Sequence, residues 1–367
     1  MCKSLVCIVL GTRPEAIKLA PVILRFLKSD KFSTKLISTG QHKDMVAEVM
    51  ETFQLKIDID LNIMKKKQSL EYLTSETLNQ LVGIFDDLSP SLTLVQGDTS
   101  SAFAAALAAF YCKVPVGHVE AGLRTNNFYA PFPEEINRRL ISQLATYNFA
   151  PTQISLDNLK QSNTIGENFL TGNTIVDALR LVSKRASKPI FMNKIIKNSR
   201  IIFATIHRRE NWGINLNNFS LAIRNIINSH RDTFLIMPMH PNKIVRQALK
   251  EYLEGYSRIL LIEPLPYEEL VYILRESYLV ITDSGGLQEE APTFGKPVLV
   301  FRETTEREEL IALGSSKLVG TSAESLEKYA NELLTNKNMY KKMSKVNNPF
   351  GDGFSAERIF DICSSKI

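Results

Sequence analysis

Acids, cations and glycines gather directly behind short apolar runs of this chain. Behind "LVCIVL" come Gly11, Thr12, Arg13, Pro14 and Glu15, with Lys18 one helical turn further on. Gly11 permits a tight turn, Thr12 can cap a helix and Pro14 suits a first helical turn, so the loop's amides together with Arg13 and Lys18 suit an incoming anion. A capped helix with surface cations fits the same residues equally well. Behind "LTLVQ" stand Gly97 and Asp98, and behind "VPVGHV" stand Glu120, Gly122 and Arg124. The segment "YAPFPEEINRRL" adds Glu134 and Glu135. Each acid alone reads as a helix cap. Acids emerging together at strand-end or loop positions suit proton transfer, because neighbouring carboxylates drive one another's pKa values apart.

The second half repeats the arrangement with other chemistry. "IIFATI" leads into His207, Arg208, Arg209, Glu210 and Asn211, where His207 reads either as a cation for a phosphate or as a structural histidine. "LVIT" leads into Asp283, Ser284, Gly285 and Gly286, followed by Glu289 and Glu290. Such a glycine turn can cradle a diphosphate with its amides, and a carboxylate just beyond it can grip ribose hydroxyls. "PVLVF" leads into two more cations, Arg302 and Arg307. Neither a Walker A loop nor a G-x-S-x-G elbow occurs, and "GDGFSA" at residues 351–356 fits G-x-G-x-x-A with no strand before it. Those absences disfavour P-loop ATP hydrolysis, serine hydrolysis and hydride transfer.

The elements that must position these residues are legible as alternation. The apolar runs "LVCIVL", "TKLIST", "LTLVQ", "VPVGHV", "IIFATI", "TFLIMP", "ILLIEP", "LVITDS" and "PVLVF" alternate with helical patterns. This predicts parallel sheets of right-handed βαβ units. The runs fall into two sets, with the polar residues 148–176 read as the connection between them. A chain of 367 residues with 44% hydrophobic content fits two α/β domains. In open parallel sheets ligands bind beyond the carboxyl ends of the strands, where strand order reverses. The informative residues above all stand there.

Composition narrows the class further. Lys and Arg number 44 against 39 Asp and Glu, giving +5. Lys65, Lys66 and Lys67 form a basic run with no interleaved aromatics, which reads as a solvated turn and gives no nucleic-acid surface. Cys2, Cys7, Cys112 and Cys363 form neither a C-x-x-C pair nor a zinc-spaced cluster, so no structural metal and a reduced cytoplasmic setting are expected. The first apolar run is too short for a signal peptide core or a membrane span.

The motifs "GTRPEAIK", "GDTSS", "GHVEAGLRT", "PFPEEINR", "TGNTIVDAL", "HRREN", "TDSGGLQEEAP", "GKPVLV", "TTER" and "NPFGDG" occur in one order from Gly11 to Gly353. In this the chain resembles the non-hydrolysing bacterial UDP-N-acetylglucosamine 2-epimerases. The resemblance implies a GT-B-like α/β fold: two Rossmann-like, doubly wound parallel-sheet domains with the active site in the inter-domain cleft. It implies domains at 1–171 and 172–354, and a C-terminal helix at 355–367 packing back on the first. The implied reaction interconverts UDP-GlcNAc and UDP-ManNAc through 2-acetamidoglucal, with no nicotinamide, other cofactor or metal, in a cytoplasmic homodimer serving cell-surface polysaccharide synthesis. By position, Asp98, Glu120, Glu134 and His207 match catalytic residues. Arg13, Lys18, His207, Ser284, Gly285, Gly286, Glu290 and Arg307 match contacts to UDP and sugar. A second UDP-GlcNAc bound as activator is implied near Gln41, Asp44, Lys67, Arg208 and His240. There the chain departs from the family pattern, with Lys43 and Asp44 for Arg-Gln and Lys67 for Arg, so a weaker activator site is expected. Leu270 replaces an aromatic found in some relatives, and Glu308 follows "TTER" where Pro is usual. Rival readings are the hydrolysing 2-epimerases, disfavoured by "GTRPEAIK", a glycosyltransferase of the same architecture, and an inactive nucleotide-sugar sensor.

Overall fold

The structure, a computed structural model, describes residues 3–65, 68–125, 127–129, 131–346 and 348–367, the Arg209 side chain excepted. The chain divides into two compact units, Met1–Leu181 with Phe350–Ile367, and Val182–Pro349. The first holds strands β1 (Ser4–Leu10), β2 (Phe32–Ser38), β3 (Ile59–Asp60), β4 (Leu92–Gln96), β5 (Val116–Val119), β6 (Tyr147–Ala150) and β7 (Glu167–Leu170), in spatial order β3-β2-β1-β4-β5-β6-β7. The second holds β8 (Arg200–Thr205), β9 (Thr233–Pro238), β10 (Ile259–Ile262), β11 (Leu279–Thr282), β12 (Val298–Val300) and β13 (Ser316–Leu318), in order β10-β9-β8-β11-β12-β13. All described pairings are parallel.

The apolar runs are continuous because these sheets are covered on both faces. Along β8, Ile202 and Ala204 join one buried cluster with Phe219, Leu249 and Phe301. The alternate residues Ile201 and Phe203 join another with Ile236, Val280 and Val300. In the first unit the helix Ser100–Tyr111 buries six alanines, whose small side chains let the helix Leu70–Leu88 pack closely on it. Thr99 caps that helix by accepting from the Ala102 amide at 3.0 Å.

Residues 148–176 do not form a connection between the two sets of strands; they end β6 and supply the helix Gln153–Gln161 and the edge strand β7 of the first sheet. The reason lies in position. At the sheet's edge β7 is half-exposed, so "ENFL" carries polar residues, and β6 buries Asn148, whose amide donates to the Ser142 carbonyl at 3.2 Å.

The closing helix Ser355–Lys366 packs on the helix Arg13–Leu27. Phe360 lies 5.1 Å from Phe26, and the Arg25 guanidinium stands 3.5 Å above the Phe360 ring. The Asp177 carboxylate accepts from the amides of Ser355 at 3.2 Å and Ala356 at 2.9 Å, which fixes where that helix starts. Strand order reverses between β1 and β4 in the first unit and between β8 and β11 in the second. Among the described residues no helix is long and apolar enough to cross a membrane.

Candidate functional site

At the first switch point, the amides of Gly11 and Thr12 both donate to Glu15 Oε2 at 2.7 Å, and Thr99 Oγ1 donates to Glu15 Oε1. Burial raises the Glu15 carboxyl, opposed by those hydrogen bonds. The expectation that these amides face an anion is corrected: the helix's own carboxylate satisfies them. Arg13 reaches Glu48 at 3.5 Å.

Lys18 Nζ lies 2.5 Å from Glu120 Oε1, with both side chains buried. Glu120 follows β5 with φ +65°, a left-handed conformation rare outside glycine. Its Oε1 also accepts from Asn173 Nδ2 at 3.0 Å, and its Oε2 accepts from Gln96 Nε2. Gly97 links this group to Asp98, since a Cβ at Gly97 would lie 3.9 Å from Glu120 Oε2. Asp98 Oδ2 lies 2.5 Å from Arg138 Nη2, and the Asp98 carbonyl accepts from Asn137 Nδ2 at 3.0 Å. Glu134 opens the helix Glu134–Leu144 and is half-buried. Asn137 and Arg138, three and four residues on, share its helix face, which puts Glu134 on the side that holds Asp98. Beneath this group the buried His118 donates Nε2–H to the Gly97 carbonyl at 2.8 Å. Burial pushes its imidazole down to about 4.

At the second switch point the fully buried Asp283 straps two strand-end loops together. Its carboxylate accepts from the His207 amide at 3.0 Å, the Arg208 amide at 2.9 Å and Asn211 Nδ2 at 2.9 Å. Ser284, Gly285 and Gly286 then open the short helix Gly285–Glu290. A Cβ at Gly285 would lie 3.8 Å from Arg307 Nη2 and 4.0 Å from Arg208 Nη2, so the glycine turn and two guanidiniums share one place. Glu306 holds the cations there, at 3.0 Å from Arg208 Nη2 and 2.8 Å from Arg302 Nη1. Burial acts to raise its carboxyl, but Arg307, Arg302 and Arg208 outweigh that and hold it well below the usual range. Arg307 Nε donates to the buried Glu289 at 2.6 Å, and Glu290 accepts from the buried Tyr267 hydroxyl at 3.2 Å.

His207 sits close behind β8, with its imidazole beside that of His240. Burial lowers its imidazole below the ordinary value, and the neighbouring His240, with ring centroids 5.9 Å apart, adds to this while Asp283 opposes it. Of the residues matched to an activator, Gln41 accepts from Ser101 Oγ at 2.7 Å and Asp44 is exposed in the first unit. Arg208 and His240 belong to the second unit, and Lys67 lies outside the described residues. Among the described residues no group of three or more His, Cys, Asp or Glu could hold a metal ion. Gln96, Asn173, Arg138, Tyr267 and Glu306 were not singled out from sequence; a polar Gln96 closing an otherwise apolar strand was the one available signal.

Known proteins share the sequence and the fold over almost the whole chain. The family model described as UDP-N-acetylglucosamine 2-epimerase matches residues 25–364. The UDP-N-acetylglucosamine 2-epimerase of Bacillus subtilis is 44% identical over 363 residues, covering 98% of this chain and 95% of its own length. The crystal structure of UDP-GlcNAc 2-epimerase from Neisseria meningitidis bound to UDP-GlcNAc is 41% identical with a TM-score of 0.91, covering 98% of this chain and all of the other. An S. aureus co-structure with UDP is also 41% identical, with a TM-score of 0.92 over 99% of this chain and 96% of its own. With its two parallel-sheet α/β units of the GT-B-like class and these matches over almost its whole length, the chain belongs to the UDP-N-acetylglucosamine 2-epimerase family.

Proposed function

We propose that the protein interconverts UDP-GlcNAc and UDP-ManNAc without releasing the sugar, by eliminating UDP to 2-acetamidoglucal and adding it back. The observation that carries this reading is the pair of carboxylates flanking Gly97, Asp98 and Glu120, each fixed by its own cation. An unactivated C2 proton needs a placed base, and its return to the other face needs a separate acid. In the forward step a carboxylate takes the C2 proton, the C–H electron pair forms the C1=C2 bond, and the C1–O bond breaks with its pair leaving on UDP. In the return step a UDP oxygen bonds to C1 while C2 takes a proton on the opposite face. Asp98, Glu120 and Glu134 handle the protons.

The second unit holds the nucleotide. Arg307 and the amides of Gly285 and Gly286 meet the diphosphate, Ser284 and His207 add hydrogen bonds, and Glu290 takes the ribose. Fixed guanidiniums stabilise the charge that develops on departing UDP. Arg13 contacts UDP, while Lys18 serves the substrate through Glu120. The product supplies ManNAc for cell-surface polysaccharide, made in the cytoplasm by a homodimer with a second UDP-GlcNAc as activator. Incubation with UDP-GlcNAc and chromatography of the products tests the non-hydrolysing form. UDP-ManNAc rising to a constant ratio with no free ManNAc is expected. Free ManNAc appearing in step with UDP would assign the hydrolysing reaction instead.

A further inference from the structure

Glu120 is held from three sides. Lys18 Nζ and Asn173 Nδ2 donate to Oε1, and Gln96 Nε2 donates to Oε2. A carboxylate offers about four lone-pair sites, two on each oxygen. Oε1 is thus filled, and among the described residues one site remains, on Oε2, the oxygen facing Gly97. Gln96 and Asn173 are themselves 3% and 2% exposed, so neither amide swings freely. Gln96 is fixed as the last residue of β4, paired with Val119 of β5. Asn173 is fixed at both ends: its amide N–H donates to the Phe350 carbonyl at 2.7 Å, and its Oδ1 accepts from the Ile175 amide at 3.1 Å. That last bond makes Asn173 the cap of the helix Thr174–Ser183 and points its NH2 toward Glu120. At a left-handed non-glycine residue the carboxylate needs such support, because the backbone conformation itself is costly.

We propose that Gln96 and Asn173 are positioning residues for the reaction, turning Glu120 so that proton transfer runs through the open site on Oε2. This rests on the epimerisation proposed above. Asn173→Ser keeps an oxygen that can cap the Ile175 amide but is too short to reach Glu120. It is expected to bind UDP and melt as the wild type does while kcat falls about 100-fold, the scale of a misplacement near 1 Å, with KM little changed. Asn173→Asp places a second negative charge beside Glu120, and the acidic limb of its kcat–pH profile is expected to move to higher pH. Gln96→Met keeps the buried volume of β4, removes the other donor and is expected to lower kcat similarly, giving an arm independent of the helix cap. A kcat within two-fold of wild type in both Asn173→Ser and Gln96→Met would overturn the positioning role, as would an unmoved profile in Asn173→Asp. The wild-type protein is the internal control: if it forms no UDP-ManNAc, the epimerase reading fails and this inference with it, whereas normal wild-type turnover beside normal variants overturns the inference alone.

Discussion

A lysine and a glutamate 102 positions apart, Lys18 and Glu120, make a 2.5 Å ion pair in the first unit, as close as the one between Arg138 and Asp98. Breaking a buried pair costs more than making it gains, because the remaining charge is stranded. Lys18 therefore binds its place in the site to Glu120, and Arg138 does the same for Asp98. In the proposed reaction Asp98→Asn, Glu120→Gln and Glu134→Gln should each lower turnover by about 10²–10⁴-fold, with UDP affinity little altered in equilibrium titrations. A variant that retains the wild-type rate leaves the proton-transfer set. Asp44 argues the regulatory side. Asp44 is an exposed carboxylate and Lys43 is drawn to Asn62 at 3.1 Å, so in the proposed activator site a diphosphate would meet a negative charge. UDP-ManNAc alone should accordingly be epimerised at an appreciable rate, and Asp44→Gln with Lys67→Arg should make activation by UDP-GlcNAc tighter in initial-rate assays. Complete inactivity toward UDP-ManNAc until UDP-GlcNAc is added would count against this.

Each element delivers its residues through its ends. Glu15 clasps the start of the helix Arg13–Leu27 and, through Thr99, the start of the helix Ser100–Tyr111. Glu15→Ala strands two amides and a hydroxyl, each costing about 1–3 kcal/mol when buried, so roughly 3 kcal/mol of destabilisation is expected in urea melts. Glu15→Gln should lose less. Much of this frame was legible in sequence. Strands buried on both faces read as apolar runs, and parallel topology put chemistry in the residues just behind them. Strands without a clear apolar run were not legible: β6 carries the buried Asn148, β7 is half-polar, β3 has two residues, and β13 carries Ser316 and Lys317 among its three. Nor was the capture of the Gly11 and Thr12 amides, since Glu15 reads as an ordinary first-turn acid. The lowering of the His207 imidazole depends on its burial and on His240, 33 positions away by their numbers, and no local pattern encodes that.

Across the whole molecule, protons link stability to the site. His118 titrates near 6.5 when unfolded and is pushed down to about 4 by burial. Above 6.5 both states are neutral and this stability is fully present. As pH falls from 6.5 toward 4 the unfolded chain binds a proton that the folded one refuses, so roughly 3 kcal/mol is lost. Thermal melts should show Tm falling more steeply over that window in wild type than in His118→Gln. Parallel slopes would mean the imidazole bears no such burden. The central claim is the proposed elimination and re-addition at C2. The most direct measurement follows the C2 proton by NMR while the protein acts on UDP-GlcNAc in heavy water without added NAD. Both UDP-GlcNAc and UDP-ManNAc should lose the C2–H signal to deuterium as they interconvert; interconversion with the C2 proton retained would contradict the account.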